Sequence, residues 1–270
     1  MEPLLSRTER PIFAPGHLVA GHEPFPMTQN IYDTPDFFRE YSRLERSQRG
    51  LDGAWEWPLL RSLVPDLQGK RVLDLGCGFG WFARWARQQG AASVLGLDVS
   101  LNMLERAEAM TSDNAIEFRR IDLEDAEFPA SRFDFAFSAL ALHYVQNLPR
   151  IFKAVHLALC DEGRFVFSVE HPIYTASLNA QWLAQSNGMK TWPVDSYSNE
   201  GPRTTDWLAK GFTKRHRTFS TVINSLIDAG FVVGRVEEWG PTADQIATRP
   251  DLAEEKDRPL FLLVAAQRRS

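Results

Sequence analysis

An α/β fold built on a mostly parallel sheet is the architecture this sequence predicts, and three observations carry it. Residues 71–75, RVLDL, are an apolar run holding one acid, Asp74, as suits a buried central strand. Glycines follow at every second position, Gly76, Gly78 and Gly80, and a helical stretch runs from Trp81 to Gln89. Such a strand-to-helix turn lets backbone approach a ligand with no side chain in the way. Beyond it, apolar strands alternate with helical segments. At 270 residues and 44% hydrophobic content, one such domain with embellishments has ample material for a core.

Composition removes several classes of function. The formal net charge of −5 gives no general attraction to nucleic-acid phosphates, and the densest basic spot, Lys214 to Arg217, spans only four residues. That spot reads as a solvated or substrate-gating segment, not a nucleic-acid patch. Two cysteines, Cys77 and Cys160, make neither a disulfide framework nor a paired-cysteine metal site. No metal is therefore expected, and the chain reads as a reduced, cytoplasmic protein. No apolar run is long enough to span a membrane, and no signal-peptide pattern occurs. Oligomeric state is not legible.

In chain order, residues 1–26 hold five of the sixteen prolines with little periodicity, so they read as a poorly ordered arm and the domain is expected to begin at Met27. Asp33 or Thr34 then caps a helix with Pro35 in its first turn and Phe37, Phe38, Tyr41 and Leu44 along one side. At the glycine turn, a dinucleotide fingerprint needs glycine at positions one, three and six; the sixth is Trp81, which makes NAD the weaker reading. A second strand, Ser93 to Asp98, ends in a carboxylate eighteen residues beyond Gly80, followed by Val99. That separation suits an acid meeting the ribose hydroxyls of a nucleoside. Ser100 caps the next helix, placing Met103 one turn in, either against an adenine face or in ordinary core.

A third strand, Ile116 to Arg120, runs into IDLED, which contains Asp122 and Leu123. The fourth spans Phe133 to Ser138 and continues into Ala139 to His143. A helix from Ile151 to Cys160, broken by a turn at Asp161 to Gly163, leads to a fifth strand, Arg164 to Val169. Pro172 forbids further pairing, so Glu170 and His171 mark where the chain leaves the sheet at its ligand-bearing end. From Ile173 to Phe212 no regular periodicity is evident, yet the stretch holds Tyr174, Trp182, Trp192, Tyr197 and Trp207. Long aromatic-rich loops of this kind are usually lids, although a folded surface insertion fits too. A helix from Phe219 to Ala229, a strand from Val232 to Trp239, a polar stretch with a short helix and a last strand from Pro259 to Ala266 complete the chain.

VLDLGCGFG, with Asp98 and Asp122 in order behind it, resembles the first motifs of class I S-adenosylmethionine (SAM) dependent methyltransferases of the methyltransferase-11 type. The resemblance covers about Met27 to Ala266. It implies a Rossmann-like seven-stranded sheet with the last strand antiparallel and helices on both faces, in a domain over 27–270; the cap insertion at about 171–212 is read from the aromatic-rich loop and not from the resemblance. It implies further that Asp74, Gly76, Cys77, Gly78 and Gly80 face the amino-acid part of SAM. Asp98 and Val99 then meet the ribose, and Asp122, with Leu123 beside it, accepts from the adenine amine, Glu124 and Asp125 being rivals. Ala139 and Leu140, after the fourth strand, fall beside the sulfonium. Tyr32 and Tyr41 either close over the cofactor or pack on the sheet.

The expected reaction is methyl transfer from SAM, leaving S-adenosylhomocysteine, to a small-molecule acceptor through oxygen or nitrogen. His143 and His171 are the candidate general bases. Tyr174, Trp182 and Trp192 are the candidate aromatic wall of the acceptor pocket. No NPPY-type motif points to an amide or adenine nitrogen. Alternatives are methylation of a protein or RNA, and a SAM-binding protein without activity. No partner beyond the acceptor is expected, neither nucleic acid nor membrane.

Overall fold

The computed structural model describes residues 29–208 and 210–269. The arm expected over residues 1–26 and the expected start at Met27 lie outside them. Five strands come first: β1 (Arg71–Leu75), β2 (Ser93–Asp98), β3 (Ile116–Arg120), β4 (Phe133–Ala139) and β5 (Leu159–Glu170). Four short ones follow, β6 (Leu183–Ala184), β7 (Lys190–Thr191), β8 (Gly201–Thr205) and β9 (Phe212–His216), before β10 (Phe231–Trp239) and β11 (Phe261–Arg268). The helices are α1 (Pro35–Tyr41), α2 (Glu45–Gln48), α3 (Trp57–Leu63), α4 (Trp81–Gln88), α5 (Leu101–Ala109), α6 (Leu148–Ala158), α7 (Pro172–Ala176), α8 (Phe219–Asp228) and α9 (Ala243–Thr248).

Seven strands form one sheet in the order β10-β11-β5-β4-β1-β2-β3, and β11 alone runs antiparallel to its neighbours. This is the Rossmann-like arrangement that the resemblance implies. The two-residue alternation of strand side chains divides the core. Leu73, Leu75, Leu97, Phe165 and Phe167 face α6 and α8, whose Ile151, Phe152, Val155 and Leu226 are buried against them. Val72, Phe135, Phe137 and Val166 face α3 and α4, where Phe82 stacks on Phe137 at 3.6 Å between ring centroids. Helix ends fall where capping chemistry puts them. Ser100 Oγ accepts from Met103 N at 3.2 Å, and Gly230, in the left-handed region at φ 101°, follows α8.

Several expectations change. The turn at Asp161 to Gly163 does not separate helix from strand. β5 begins at Leu159 and takes these residues as a bulge, its register with β4 slipping between Phe133 and Phe135 and Glu162 adopting φ 62°. The segment after β5 is more regular than its sequence suggests: α7 comes first, β6 pairs with β7, and β8 pairs with β9. Residues 214–217 are not a solvated run, because Phe212, Lys214 and His216 are the inward positions of β9 and are buried.

Asp33 does not cap its own helix. Its carboxylate reaches across to the start of α5, accepting from Ser100 Oγ at 2.5 Å, Asn102 N at 3.1 Å and Leu101 N at 3.2 Å. An acid there satisfies otherwise orphaned amides and meets the positive end of the helix. These contacts hold its carboxyl below the usual carboxylate range, against the opposing effect of burial. Asp33→Ala is accordingly expected to lower stability by about 1 to 2 kcal/mol, measured by chemical denaturation. An unchanged midpoint and slope would mean that the contact carries nothing.

Candidate active site

At the carboxyl ends of the parallel strands, a cavity of about 620 Å³ opens above β1 and β4. Its floor is made strand by strand: Gly76 and Gly78 after β1, Asp98 and Val99 at β2 with Met103 of α5, Asp122 and Leu123 after β3, Ala139 and Leu140 at β4, and Glu170 at β5. His143 and Tyr144, on a 3-10 turn after β4, form one wall. Tyr32, Tyr41 and Arg46 enter from the N-terminal segment, Tyr174 from α7 and Trp207 from the β8–β9 hairpin.

Local chemistry explains these positions. Asp98 takes the Gly78 N–H on one carboxylate oxygen and the Ser100 N–H on the other, each at 2.9 Å, so one acid shapes both the glycine loop and the α5 cap. Gly78 has φ 52°, and an added Cβ would meet no atom within 4 Å, which leaves bare backbone open toward a ligand. Gly80 differs: a Cβ there would lie 2.6 Å from the Phe118 ring, so this glycine serves helix-to-strand packing and does not line the cavity. Leu140 holds φ 54°, an uncommon conformation for a branched side chain, with its N–H on Ser168 O at 3.0 Å.

A recess of about 110 Å³ adjoins the cavity at the glycine loop, sharing Tyr41, Arg46, Gly76, Gly78 and Ala139 with it. Asp74 and Cys77 line this recess instead of the larger space. Asp74 is 2% exposed and its Oδ2 has no hydrogen-bond partner among the described residues. Burial, with the Asp98 charge adding to it, pushes Asp74 from the usual 3.8 to about 8. Burial also raises the Cys77 thiol well above its ordinary value, which makes it an inert filler of the loop. Arg46 forms a forked pair with the buried Glu56, both contacts 2.9 Å.

The lid is aromatic. Tyr32 contacts Phe37 and Tyr41 edge-on at 5.0 and 5.2 Å, Phe212 of β9 packs on Phe37 at 5.5 Å, and Trp207 on Phe37 at 5.9 Å. Tyr41 and Phe38 rest on Phe79 of the glycine loop. Gln29 fastens the two parts, donating to Gly211 O at 3.0 Å and accepting from Thr213 N at 2.9 Å. Lys214 of β9 lies 2.6 Å from the Glu170 carboxylate.

Besides Gly80, three expected site residues lie elsewhere. His171 is buried outside the cavity lining: Nδ1 accepts the Ile173 N–H at 3.1 Å as the cap of α7, and Nε2–H donates to Glu238 at 2.8 Å. With both nitrogens engaged it fixes the chain where β5 ends and is no general base. Trp182 and Trp192 do not line the cavity either. They meet each other at 5.4 Å, Trp192 stacks on Tyr174 at 5.9 Å, and the Arg258 guanidinium lies 4.0 Å from the Trp192 ring centroid. Of the expected wall, Tyr174 alone faces the cavity, backed by the other two. Arg46 and Tyr144 line the site although the sequence did not assign them to it, as do Glu170, which the sequence placed only at the ligand-bearing sheet end, and Trp207, which it placed only within the aromatic lid.

A family model described as a methyltransferase domain matches residues 73–167. The structure of a SAM-dependent methyltransferase from Mesorhizobium loti superposes with TM-score 0.79 and 55% identity, covering 81% of this chain and 100% of that one. The chain belongs to the SAM-dependent methyltransferases. A second structure, of a putative member from Listeria monocytogenes, is 38% identical with TM-score 0.76, covering 82% of this chain and all of that one. An uncharacterized protein of Haemophilus influenzae is 34% identical over 247 residues, 88% of this chain and 97% of the relative. Some curated methyltransferases match over about half their own length or less.

SAM, the cofactor of this family, fits what the site leaves open. A methyltransferase needs an anion for the cofactor's ammonium, and Asp74 offers an unpartnered buried carboxyl beside Arg46. Gly78 presents bare backbone, and Asp98 and Asp122 stand at the β2 and β3 ends. Among the described residues, no group of three or more His, Cys, Asp or Glu side chains is arranged to hold a metal ion. No helix of theirs is long and apolar enough to cross a membrane.

The Asp74 shift fixes a pH dependence. Between about pH 4 and pH 8 the folded, ligand-free protein holds a proton on Asp74 that the unfolded chain has released, so stability falls as pH rises through that window. Asp74→Asn is expected to flatten part of this slope and raise the melting temperature at pH 8, while weakening SAM binding. A slope unaltered by the substitution would locate the titration elsewhere. Asp98→Ala is expected to weaken SAM binding by roughly 1.5 to 3 kcal/mol in calorimetry, as when a charged hydrogen-bonding group is lost. Unchanged affinity would remove Asp98 from the site.

Proposed function

We propose that the chain transfers the methyl group of SAM to an oxygen or nitrogen of a small molecule held beyond Ala139 and Leu140, under the lid. The observation that supports this most is the continuity of one cavity from the glycine loop to Glu170 and Tyr174, roofed by Tyr32, Tyr144 and Trp207. A space of about 620 Å³ suits a cofactor and a compact acceptor together.

Bound SAM supplies the electrophilic methyl; the protein's part is to orient the acceptor and exclude water. Asp98 and Asp122 hold the nucleoside side of the site, and Asp74 and Gly78 with Arg46 hold the amino-acid side. The lid dries the remainder. Tyr174 is kept flat by Trp192 and Arg258, so the acceptor meets a rigid face. Among the described residues no cationic groove for a polymer backbone adjoins the site: Arg43 and Arg249 at its edge lie beside Glu40, Glu45 and Asp251.

The test is incubation with methyl-labelled SAM and a cell extract, followed by separation of metabolites, protein and nucleic acid. Label is expected in the metabolite fraction and at least tenfold lower with Tyr174→Ala. Label confined to protein or RNA would overturn the small-molecule reading, and SAM binding without transfer in any fraction would overturn activity.

A further inference from the structure

His143 is a neutral donor held in one orientation. It follows β4 on the turn Leu142–Tyr144, is 4% exposed and lines the cavity. Its Nδ1 accepts the backbone N–H of Glu170 at 3.3 Å. A ring nitrogen that accepts an N–H carries no proton, so in the neutral ring the proton resides on Nε2. Nε2 is buried and has no hydrogen-bond partner among the described residues. An unsatisfied buried donor is costly, and a ligand group that accepts from it removes the cost.

The surroundings keep the imidazole neutral. Burial is the main cause of a pKa lowered to about 4, with Glu170 of β5 opposing and Lys214 of β9, Arg217 after β9 and Arg46 of α2 reinforcing. The Tyr144 ring packs against the imidazole at 4.2 Å. Glu170, the acid whose charge acts on this ring, is paired with the Lys214 ammonium at 2.6 Å.

From this geometry we propose that His143 gives a hydrogen bond to the acceptor instead of removing its proton, and that the acceptor is a carboxylate methylated on oxygen. The proposal rests on the methyl-transfer reading above and narrows its acceptor. A neutral amine has one lone pair, and a donor placed on it competes with attack. A carboxylate has two oxygens with about four acceptor sites, so one oxygen is held while the other reacts. The reaction balances without a base: a carboxylate oxygen gives an electron pair to the methyl carbon as the carbon–sulfur pair withdraws onto sulfur. Anion and sulfonium become methyl ester and thioether, and no proton changes hands.

Two measurements decide it. Long-range proton–nitrogen NMR of the full chain, with the His143 signal identified by its loss in His143→Gln, is expected to show Nε2 protonated and Nδ1 bare, unchanged between pH 5.5 and 8. Protonation at Nδ1, or titration within that range, would overturn the donor role. With methyl-labelled SAM and a protein-free cell extract, the transferred label is expected to be released by mild alkali as volatile methanol. Turnover should fall about tenfold to a hundredfold in His143→Ala and recover most of that loss in His143→Gln, whose amide still donates. Alkali-stable label, or equal loss in both variants, would overturn the carboxylate assignment. Absence of SAM binding in calorimetry would sink the parent reading, and the NMR result would still judge the tautomer.

Discussion

Everything at the site depends on β1 lying between β2 and β4. Chain order reverses there, so the connections after β1 and β4 leave toward opposite faces of the sheet and a crevice opens outside their carboxyl ends. Because the neighbouring strands are parallel, Asp74, Asp98 and the turn holding His143 are delivered to one edge without any long-range pairing of their own. Asp98 then ties Gly78 to Ser100, and Ser100 in turn meets Asp33 of the lid. One short polar chain thus links floor, helix and cover.

The same edge concentrates unfavourable charge. Asp74 is buried with the half-buried Asp98 near it, and among the described residues no cation is paired with Asp74. Such a pair persists only where the rest of the fold fixes it, here the packed strands on both sides. Across the cavity, the half-buried Glu170 is matched instead by the buried Lys214. An unpaired, proton-holding acid at the glycine loop and a matched ion pair at the acceptor end give the two halves of the cavity different chemistry.

Much of the fold was legible because strands buried on both faces write themselves as apolar runs, and the acids that end β1 and β2 stand out against that background. Asp122 was identifiable only through the family likeness, since Glu124 and Asp125 carry the same local signal. His171 shows where local reasoning stops. It has the strand-end position of a residue that meets the acceptor, but Pro172 starts a helix that uses its Nδ1, and Glu238, 67 residues away, accepts from its Nε2–H. Arg46 sits on a four-residue helix with no periodicity to announce it. β9 hid for a different reason: its inward positions include Lys214 and His216, so alternation of burial did not appear as alternation of polarity.

Lys214 belongs to the lid and Glu170 to the sheet, and this placement changes how the lid comes away. Aromatic contacts alone would make separation costly, since each ring exposed loses its packing and gains nothing from water. The ion pair behaves oppositely: both partners surrendered hydration to come within 2.6 Å, and both recover it when apart. The closed lid is therefore held by oily contacts and loosened by its own charges, a latch whose grip stays finite so that product can depart.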